Sequence, residues 1–394
     1  MSMKVYEKGF HSKERSASYK KILDCYACLE FGGLSRHIVT EVNGLQARGH
    51  DVYMALQDAR GELLAEVSPE IRVFGLGHRG LLSYPLMFWN LVGIVRQLKP
   101  QVVVSHSWAV DAMVCLAVLF QRPSPRIVLF HHTLVGLYDE GDSVWARCRR
   151  YLLKHAARRA YACADAIVAV SQKAGEELVI HLGVLPERIH VIPSLWSMEQ
   201  VEKGALEPLD DPWFMNGESR IPIVLSCGPL VPSKNFPMLM RAFALVRQRR
   251  AIRLAIVGDG PLASVLLRLA QELGIADDFR ILGYQSNPAK YMARADVFTL
   301  SSRVEGFGTV LVEAMLLGIP VVATNVAGPS FVLDGGNYGL LVPSEDEHSM
   351  AEAILTLLDN DVLRAKLIKG GPERARFFTP GKTLDGIERV LLGR

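Results

Sequence analysis

The chain has 394 residues, 49% of them apolar, and a formal net charge of +3. That length exceeds one ordinary core and suits two domains. The apolar share excludes a disordered chain, and a charge so near zero excludes a dedicated nucleic-acid binder. The opening segment, MSMKVYEKGFHSKERSASYKK, is polar and holds no apolar signal core, so secretion is not expected and a cytoplasmic location is. No apolar run reaches the roughly 18 residues of a membrane span. The nearest, GLLSYPLMFWNLVGIV (80–95), contains Pro85 and Asn90.

In chain order the pattern is strand then helix, repeated. KILDCYACLE reads as a first strand, GG as a turn, and SRHIVTEVNGLQARG as an amphipathic helix that Gly49 ends. HDVYMAL, PQVVVSHS, RIVLFHH, DAIVAVS and RIHVIPS follow as short apolar runs with helical pattern between them. Continuous runs of this kind suit parallel strands covered on both faces. The stretch 199–220, EQVEKGALEPLDDPWFMNGESR, breaks the alternation with proline, glycine and charge and reads as a linker. The alternation restarts with IPIVLSCG, IRLAIVGDG, FRILGY, ADVFTLSS and IPVVAT. The expected fold is therefore α/β, with two doubly wound Rossmann-like domains: 1–200, a linker 201–220, 221–372, and a C-terminal helix 373–394 that packs back towards the first domain. In such folds ligands bind where strand C-termini face a central cleft.

Three motifs are set aside on physical grounds. CYAC (25–28) has redox spacing, but positions i and i+3 of a strand point to opposite faces. GLGHRG (75–80) fits a dinucleotide loop, yet no acidic residue stands about 20 positions on. VGDGP (257–261) is a strand-end turn, and with no His/Cys cluster in the sequence no metal or other cofactor is expected.

The strongest signal is SRVEGFGTVLVEAMLLGIPVV (301–321). ADVFTLSS supplies a strand, Gly306 to Gly308 a turn, and a helix begins near Thr309. The N–H groups of Gly308, Thr309 and Val310 then point out of a helix N-terminus, which is an anion site. Glu305 sits at the rim, where its carboxylate accepts from a hydroxyl. Glu313 lies one turn into the helix, where a carboxylate suits a ribose diol. The bland alternative is a capped surface helix with stray acids.

This segment and its companions resemble glycosyltransferase family 4, retaining enzymes of the GT-B architecture, and in particular the branch that builds bacterial cell-surface polysaccharide. The family's E-x7-E element matches Glu305 and Glu313. GPLVPSKNFPMLMRAF, AIVGDGP, ILGYQSN, VVATNVAGPSFVLDGGNYGLLVP and EFGGLSRHIVTEVNGLQARGHDVYMA match in order across most of 21–378. The resemblance implies Lys234, Glu305 and His132 as catalytic residues. Lys234 grips the donor diphosphate and His132 faces the sugar, while His131 points elsewhere. Gly32, Gly33, Gly283, Tyr284, Phe307, Gly308, Thr309, Val310 and Glu313 are implied as donor contacts. The implied substrate is a nucleotide-diphosphate sugar, UDP-linked by preference, and the acceptor a saccharide, lipid-linked by the same likeness.

There are departures. Pro229 stands where the family often has arginine, with Arg303 and Arg36 as candidate replacements. Ser194-Leu195 replaces a frequent Asn-Gly, and Phe331 a common glutamate. A GT-B-like epimerase, which would turn over donor without acceptor, and a non-catalytic nucleotide-sugar-binding protein, which would release no UDP, are the alternatives. Finally, WARCRRYLLKHAARRAYA (145–162) is a basic helix that could rest on an anionic membrane surface, peripheral on the inner face of the cell membrane, or be a solvated face. The apolar helix 81–95 could be buried core or a membrane-contacting surface, and core is the expectation, because doubly wound folds need apolar helices.

Overall fold

The computed structural model describes residues 19–30, 32–77, 80, 83–132, 151, 155, 157–215 and 220–394. Contacts divide the chain into two units, Met1–Trp196 with Pro380–Arg394, and Ser197–Thr379.

The first unit is built from β1 (Lys21–Tyr26), α1 (Gly33–Ala47), β2 (Asp51–Leu56), β3 (Arg72–Gly75), α2 (Tyr84–Leu98), β4 (Val102–Ser105), α3 (Trp108–Val118), β5 (Arg126–His131), β6 (Ala166–Ala169), α4 (Gln172–Glu177) and β7 (Ile189–Val191). The strands pair in parallel in the order β3-β2-β1-β4-β5-β6-β7. Alternate residues of each strand feed opposite cores, as the two-residue period of a strand requires. Leu23, Tyr53, Val103, Ile127 and Ile167 pack under α2 and α3. Ile22, Val52, Val102, Val128 and Val168 pack with Ile38, Val42 and Leu45 of α1.

The second unit repeats the scheme with α5 (Met198–Ala205), β8 (Ile223–Cys227), α6 (Phe236–Arg247), β9 (Arg253–Val257), α7 (Ala263–Glu272), β10 (Phe279–Ile281), α8 (Ala289–Met292), β11 (Val297–Leu300), α9 (Thr309–Leu316), β12 (Val321–Thr324), α10 (Ala327–Val332), β13 (Leu340–Val342), α11 (Glu347–Asp359) and α12 (Asp361–Phe377). Its parallel sheet runs β10-β9-β8-β11-β12-β13. Both sheets are thus doubly wound, as the strand–helix alternation requires.

Three segments differ from the sequence expectation. The stretch 201–220 is not an unpacked linker over its described part. It holds most of α5, whose Ser197 hydroxyl accepts from Gln200 N, and Val201 is buried. Trp213 and Phe214 are buried too. The Arg280 and Arg253 guanidinium groups lie 4.1 and 4.9 Å over the Trp213 ring. Two large aromatics in a polar run outweighed its turn composition.

The tail 373–394 is not one helix. α12 ends at Phe377 and α13 (Pro380–Leu392) follows. Thr379 precedes Pro380, which disfavours helical backbone there, and Phe378 turns inward against Phe307 and Phe331. α13 belongs to the first unit, where Arg48 reaches Asp385 and Glu388 at 2.6 Å. A Cβ on Gly44 of α1 would stand 2.6 Å from Leu384.

Helix 81–95 is core on one face only. α2 buries Met87, Leu91, Val92, Ile94 and Val95, while Leu86 and Trp89 are exposed. Of the basic helix 145–162, Arg147, Arg149, Arg150 and Lys154 lie outside the described residues. Arg158 and Arg159 are helical and exposed. His78 and Arg79 of GLGHRG also lie outside them.

Candidate functional site

In the second unit the strand order reverses between β8 and β11, the place where a doubly wound sheet opens for a ligand. The loops leaving those two strands carry Lys234 and Glu305. Lys234 ends a 3₁₀ turn, Pro232–Lys234. Two bonds tie the loops together: the Ser301 hydroxyl donates to Lys234 O at 2.8 Å, and Arg303 N donates to Ser233 O at 2.8 Å. The ammonium of Lys234 meets Glu305 Oε2 at 2.5 Å, and both side chains keep partial exposure. The Ser302 hydroxyl donates to the same oxygen at 3.4 Å.

Just beyond, Gly308 takes the left-handed conformation (φ 86°) and starts α9 with no side-chain cap. The first N–H groups of a helix have no partner within it, so the backbone at Gly308, Thr309 and Val310 offers donors beside the Lys234–Glu305 pair. Glu313 lies one turn further and is half-buried. Phe307 contributes backbone only, since its ring is buried against Phe331 and Phe378. Phe331, in the place of the family glutamate, extends that aromatic group, and Arg374 donates to its carbonyl at 2.7 Å.

Gly283 (φ 69°) follows β10, two strands from β8, and its carbonyl accepts from Gly258 N at 2.8 Å. Tyr284 beside it is exposed. VGDGP is a strand-end turn: β9 closes at Val257, and a Cβ on Gly258 would stand 1.9 Å from Gly228 O. Arg303 is engaged with the Glu345 carboxylate and with Pro232 O at 3.1 Å. Its guanidinium holds the Glu345 carboxyl below the ordinary range, against burial.

Gly328 is a residue that sequence reasoning passed over. Its N–H donates to Glu305 O at 2.8 Å, and a Cβ there would lie 2.5 Å from Phe307 N. The signal lay in NVAGPSF, where a glycine opens a helix.

The first unit has its own switch point, between β1 and β4. Five polar side chains meet there. Asp24 Oδ2 is 3.0 Å from His106 Nε2, and Glu41 Oε2 is 3.7 Å from the same nitrogen. His106 Nδ1 is 3.3 Å from His132 Nε2. His37 Nε2 is 3.2 Å from Glu41 Oε2, while His37 Nδ1 accepts from Leu195 N at 2.7 Å. Asp24, Glu41, His37 and His106 are buried.

Burial opposes charge on His106, but Asp24 and Glu41 more than offset it and raise its pKa. Burial, with His37, His106 and His131 nearby, holds His132 well below the ordinary imidazole range. His131 points to the other side, with Nδ1 3.2 Å from the Tyr161 hydroxyl, and burial lowers its pKa to about 4. At Gly32 and Gly33 a side chain would meet nothing within 4 Å among the described residues, so no contact with them demands glycine there.

The absence of a His/Cys cluster in the sequence does not carry over to the fold. His37, His106 and His132 come together, as do Asp24, Glu41 and His106, each set close enough to bind one ion. The hydrogen bonds weigh against that use of His37. A ligating imidazole donates its other N–H outward, whereas His37 Nδ1 already accepts an amide proton. Its own proton therefore sits on Nε2, facing Glu41. Cys25 and Cys28 are free, and burial raises both thiols, the reverse of a reactive redox pair.

Two consecutive doubly wound units, each with a polar cluster at its switch point, make up the two-domain Rossmann-like architecture of GT-B enzymes. Comparison with known sequences assigns the family. Residues 31–195 match Glycosyltransferase Family 4 and residues 215–374 match Glycosyl transferases group 1. The chain belongs to these family-4 glycosyltransferases and is a glycosyltransferase enzyme.

One relative is the N-acetylgalactosamine-N,N'-diacetylbacillosaminyl-diphospho-undecaprenol 4-alpha-N-acetylgalactosaminyltransferase of Campylobacter jejuni. It is 31% identical over 59% of this chain, and the match spans only 61% of that relative. The D-inositol 3-phosphate glycosyltransferase of Corynebacterium glutamicum is 28% identical over 88% of each chain. Among solved structures, Anabaena Alr3699/HepE in complex with UDP superposes with a TM-score of 0.75 at 19% identity, covering 95% of this chain and all of that one. That likeness establishes the fold.

Proposed function

We propose that this enzyme transfers a hexosyl-type sugar, with retention, from a UDP-linked donor to a lipid-linked saccharide in cell-surface glycan synthesis, without a bound metal. The observation that carries it is the Lys234–Glu305 pair at the uncapped start of α9. A cation beside converging backbone N–H groups matches the charge that grows on a leaving diphosphate, and stabilising that charge is the main task of such a protein.

In this reading Lys234 leaves Glu305 for the phosphates, and Glu305 accepts from a sugar hydroxyl. Glu313 takes the ribose diol. Gly283 and Tyr284 edge the nucleobase, Gly32 and Gly33 approach the phosphates, and His132 serves the transferred sugar. The acceptor attacks on the face the diphosphate leaves, and the leaving phosphate takes the acceptor proton, so no protein nucleophile is required. The UDP and lipid-linked parts rest on likeness: a neighbour is titled as a UDP complex and a relative is named for a diphospho-undecaprenol substrate.

The test is a donor screen for UDP and GDP release, with and without membrane extract. Release of UDP that depends on extract is expected, together with the anomeric configuration of the donor in the product. Donor conversion without acceptor marks an epimerase, and tight binding without release marks a binding protein.

A lipid-linked acceptor requires contact with a bilayer. No described helix is long and apolar enough to cross one. The exposed Leu86 and Trp89 of α2, with the exposed Leu116, Leu119 and Phe120 at α3, would supply the apolar contact. Arg158 and Arg159 would add about 1 kcal/mol each near an anionic leaflet. Co-sedimentation is expected with anionic vesicles at low salt and is lost at high salt. No binding at low salt favours a soluble acceptor.

A further inference from the structure

The first unit buries two carboxylates and two imidazoles beneath His132. Core packing does not call for that, because each buried charge has a desolvation cost unless it is paired. At His37 the hydrogen-bond geometry assigns the proton. His37 Nδ1 accepts from Leu195 N, so its only proton is on Nε2, toward Glu41. His37 is therefore neutral and leaves the charge of Glu41 uncompensated.

His106 is the ring that both carboxylates face, Asp24 at 3.0 Å and Glu41 at 3.7 Å. An imidazolium there pairs one charge and gives each ring nitrogen a hydrogen to donate. Nε2–H donates to Asp24, and Nδ1–H donates to His132 Nε2 at 3.3 Å. Phe130 lies against the His106 ring at 4.4 Å and keeps water from that side. Asp111 of α3 and the ring of Tyr26 in β1 are the other titratable neighbours.

We propose that Asp24, Glu41 and His106 form a buried relay that holds His132 as its Nδ1–H tautomer, making His132 a fixed hydrogen-bond donor to a ligand oxygen and not a base. The reason is geometric. Once His132 Nε2 accepts from His106, the one proton of a neutral His132 must be on Nδ1. The carboxylates and His106 are positioning residues, since each acts through His132. The functional half rests on the reading above that His132 serves the transferred sugar. The tautomer does not.

The experiment uses the full chain, unliganded, with ¹⁵N-labelled histidine and long-range ¹H–¹⁵N spectra at pH 7. Signals are assigned with His37→Gln, His106→Gln and His132→Gln variants. Expected are two protonated nitrogens on His106 and one on His132, at Nδ1. A His132 proton on Nε2, with a singly protonated His106, overturns the proposal whether or not any transfer has been found. In Asp24→Asn, and in Asp24→Asn with Glu41→Gln, His106 should lose its second proton at neutral pH. Turnover per folded molecule should then fall roughly 10- to 100-fold, as for other partners that orient a functional imidazole, while KM for the nucleotide donor holds. A tautomer lost with no change in kcat overturns the functional half. If the double variant fails to fold, the wild-type spectrum and Asp24→Asn decide.

Discussion

The two units place chemistry at the same topological position and do it by opposite means. The second unit keeps its groups at the surface: a Lys234–Glu305 pair with partial exposure, and backbone amides freed by glycine. The first unit buries Asp24, Glu41, His37 and His106 almost completely, each at most 3% exposed. Partly solvated charges can change partner when a ligand arrives, because water shares the cost. Buried charges cannot, so they suit a fixed orientation. On the proposed function the second unit binds and releases an anion, and on the proposed relay the first holds a ring still.

The largest expected effect probes the buried side. Asp111, in the first turn of α3, is 1% exposed, and burial raises its pKa to about 8 against pulls from Ser105 and His106. The folded state therefore keeps a proton that the unfolded chain loses near its ordinary value of about 3.9. Between those values the folded state binds more protons, so stability falls as pH rises. Asp111→Asn is neutral throughout and removes that slope. Its stability relative to wild type should climb from pH 5 to pH 8, by at most about 4 kcal/mol at about 1.4 kcal/mol per pH unit. Urea melts at both pH values measure it. Parallel slopes would show that Asp111 is not held protonated.

Next comes the exposed cation. Lys234→Met should slow transfer about 100-fold or more, since Pro229 removes the family arginine and Arg303 is bound to Glu345. A large drop in melting temperature with the rate per folded molecule unchanged would make Lys234 structural, and the second unit would then resemble the first.

Glu313→Ala should weaken UDP by about 1.5–3 kcal/mol, the worth of a charged hydrogen bond, or roughly 10- to 150-fold in Kd. Calorimetric titration reads it, and unchanged affinity in a folded variant removes the ribose role.

How much of this was legible in sequence follows from the same contrast. Glu305, Gly308 and Glu313 sit within nine residues, so local spacing carried the helix N-terminus and its acids. The strand alternation was equally local. Asp24 and His106 are 82 positions apart, and His106 and His132 are 26 apart. Only the β1-β4-β5 adjacency brings them together. A lone Asp in KILDCYACLE was the available sign, a charge in the middle of an apolar strand. Trp213 and Phe378 were hidden for a different reason. Both rings are buried, but turn composition around the first and helical pattern around the second outvoted a single aromatic.

The smallest effect is the control for the whole contrast, and it lies in the first unit at a charge that reaches water. Glu388 of α13 meets Arg48 at 2.6 Å and His50 at 3.1 Å. Burial pushes its carboxyl up, but the bonds to Arg48 and His50 together outweigh it, so its pKa is lowered. A lowered acid contributes stability above its unfolded value of about 4.3 and loses it as pH falls through the folded value. The sign is opposite to that of Asp111. The size is small, because solvent and salt screen an exposed pair to about 0.2–1 kcal/mol. Glu388→Gln should therefore cost at most about 1 kcal/mol at pH 7, less at high salt, and progressively less as pH is lowered from 7 through the folded value. Denaturant melts across that range, run beside those of Asp111→Asn, measure both signs in one protein. If Glu388→Gln cost several kcal/mol, exposure would not be what separates the charges that can exchange partners from those that cannot, and the division of labour between the two switch points would need another cause.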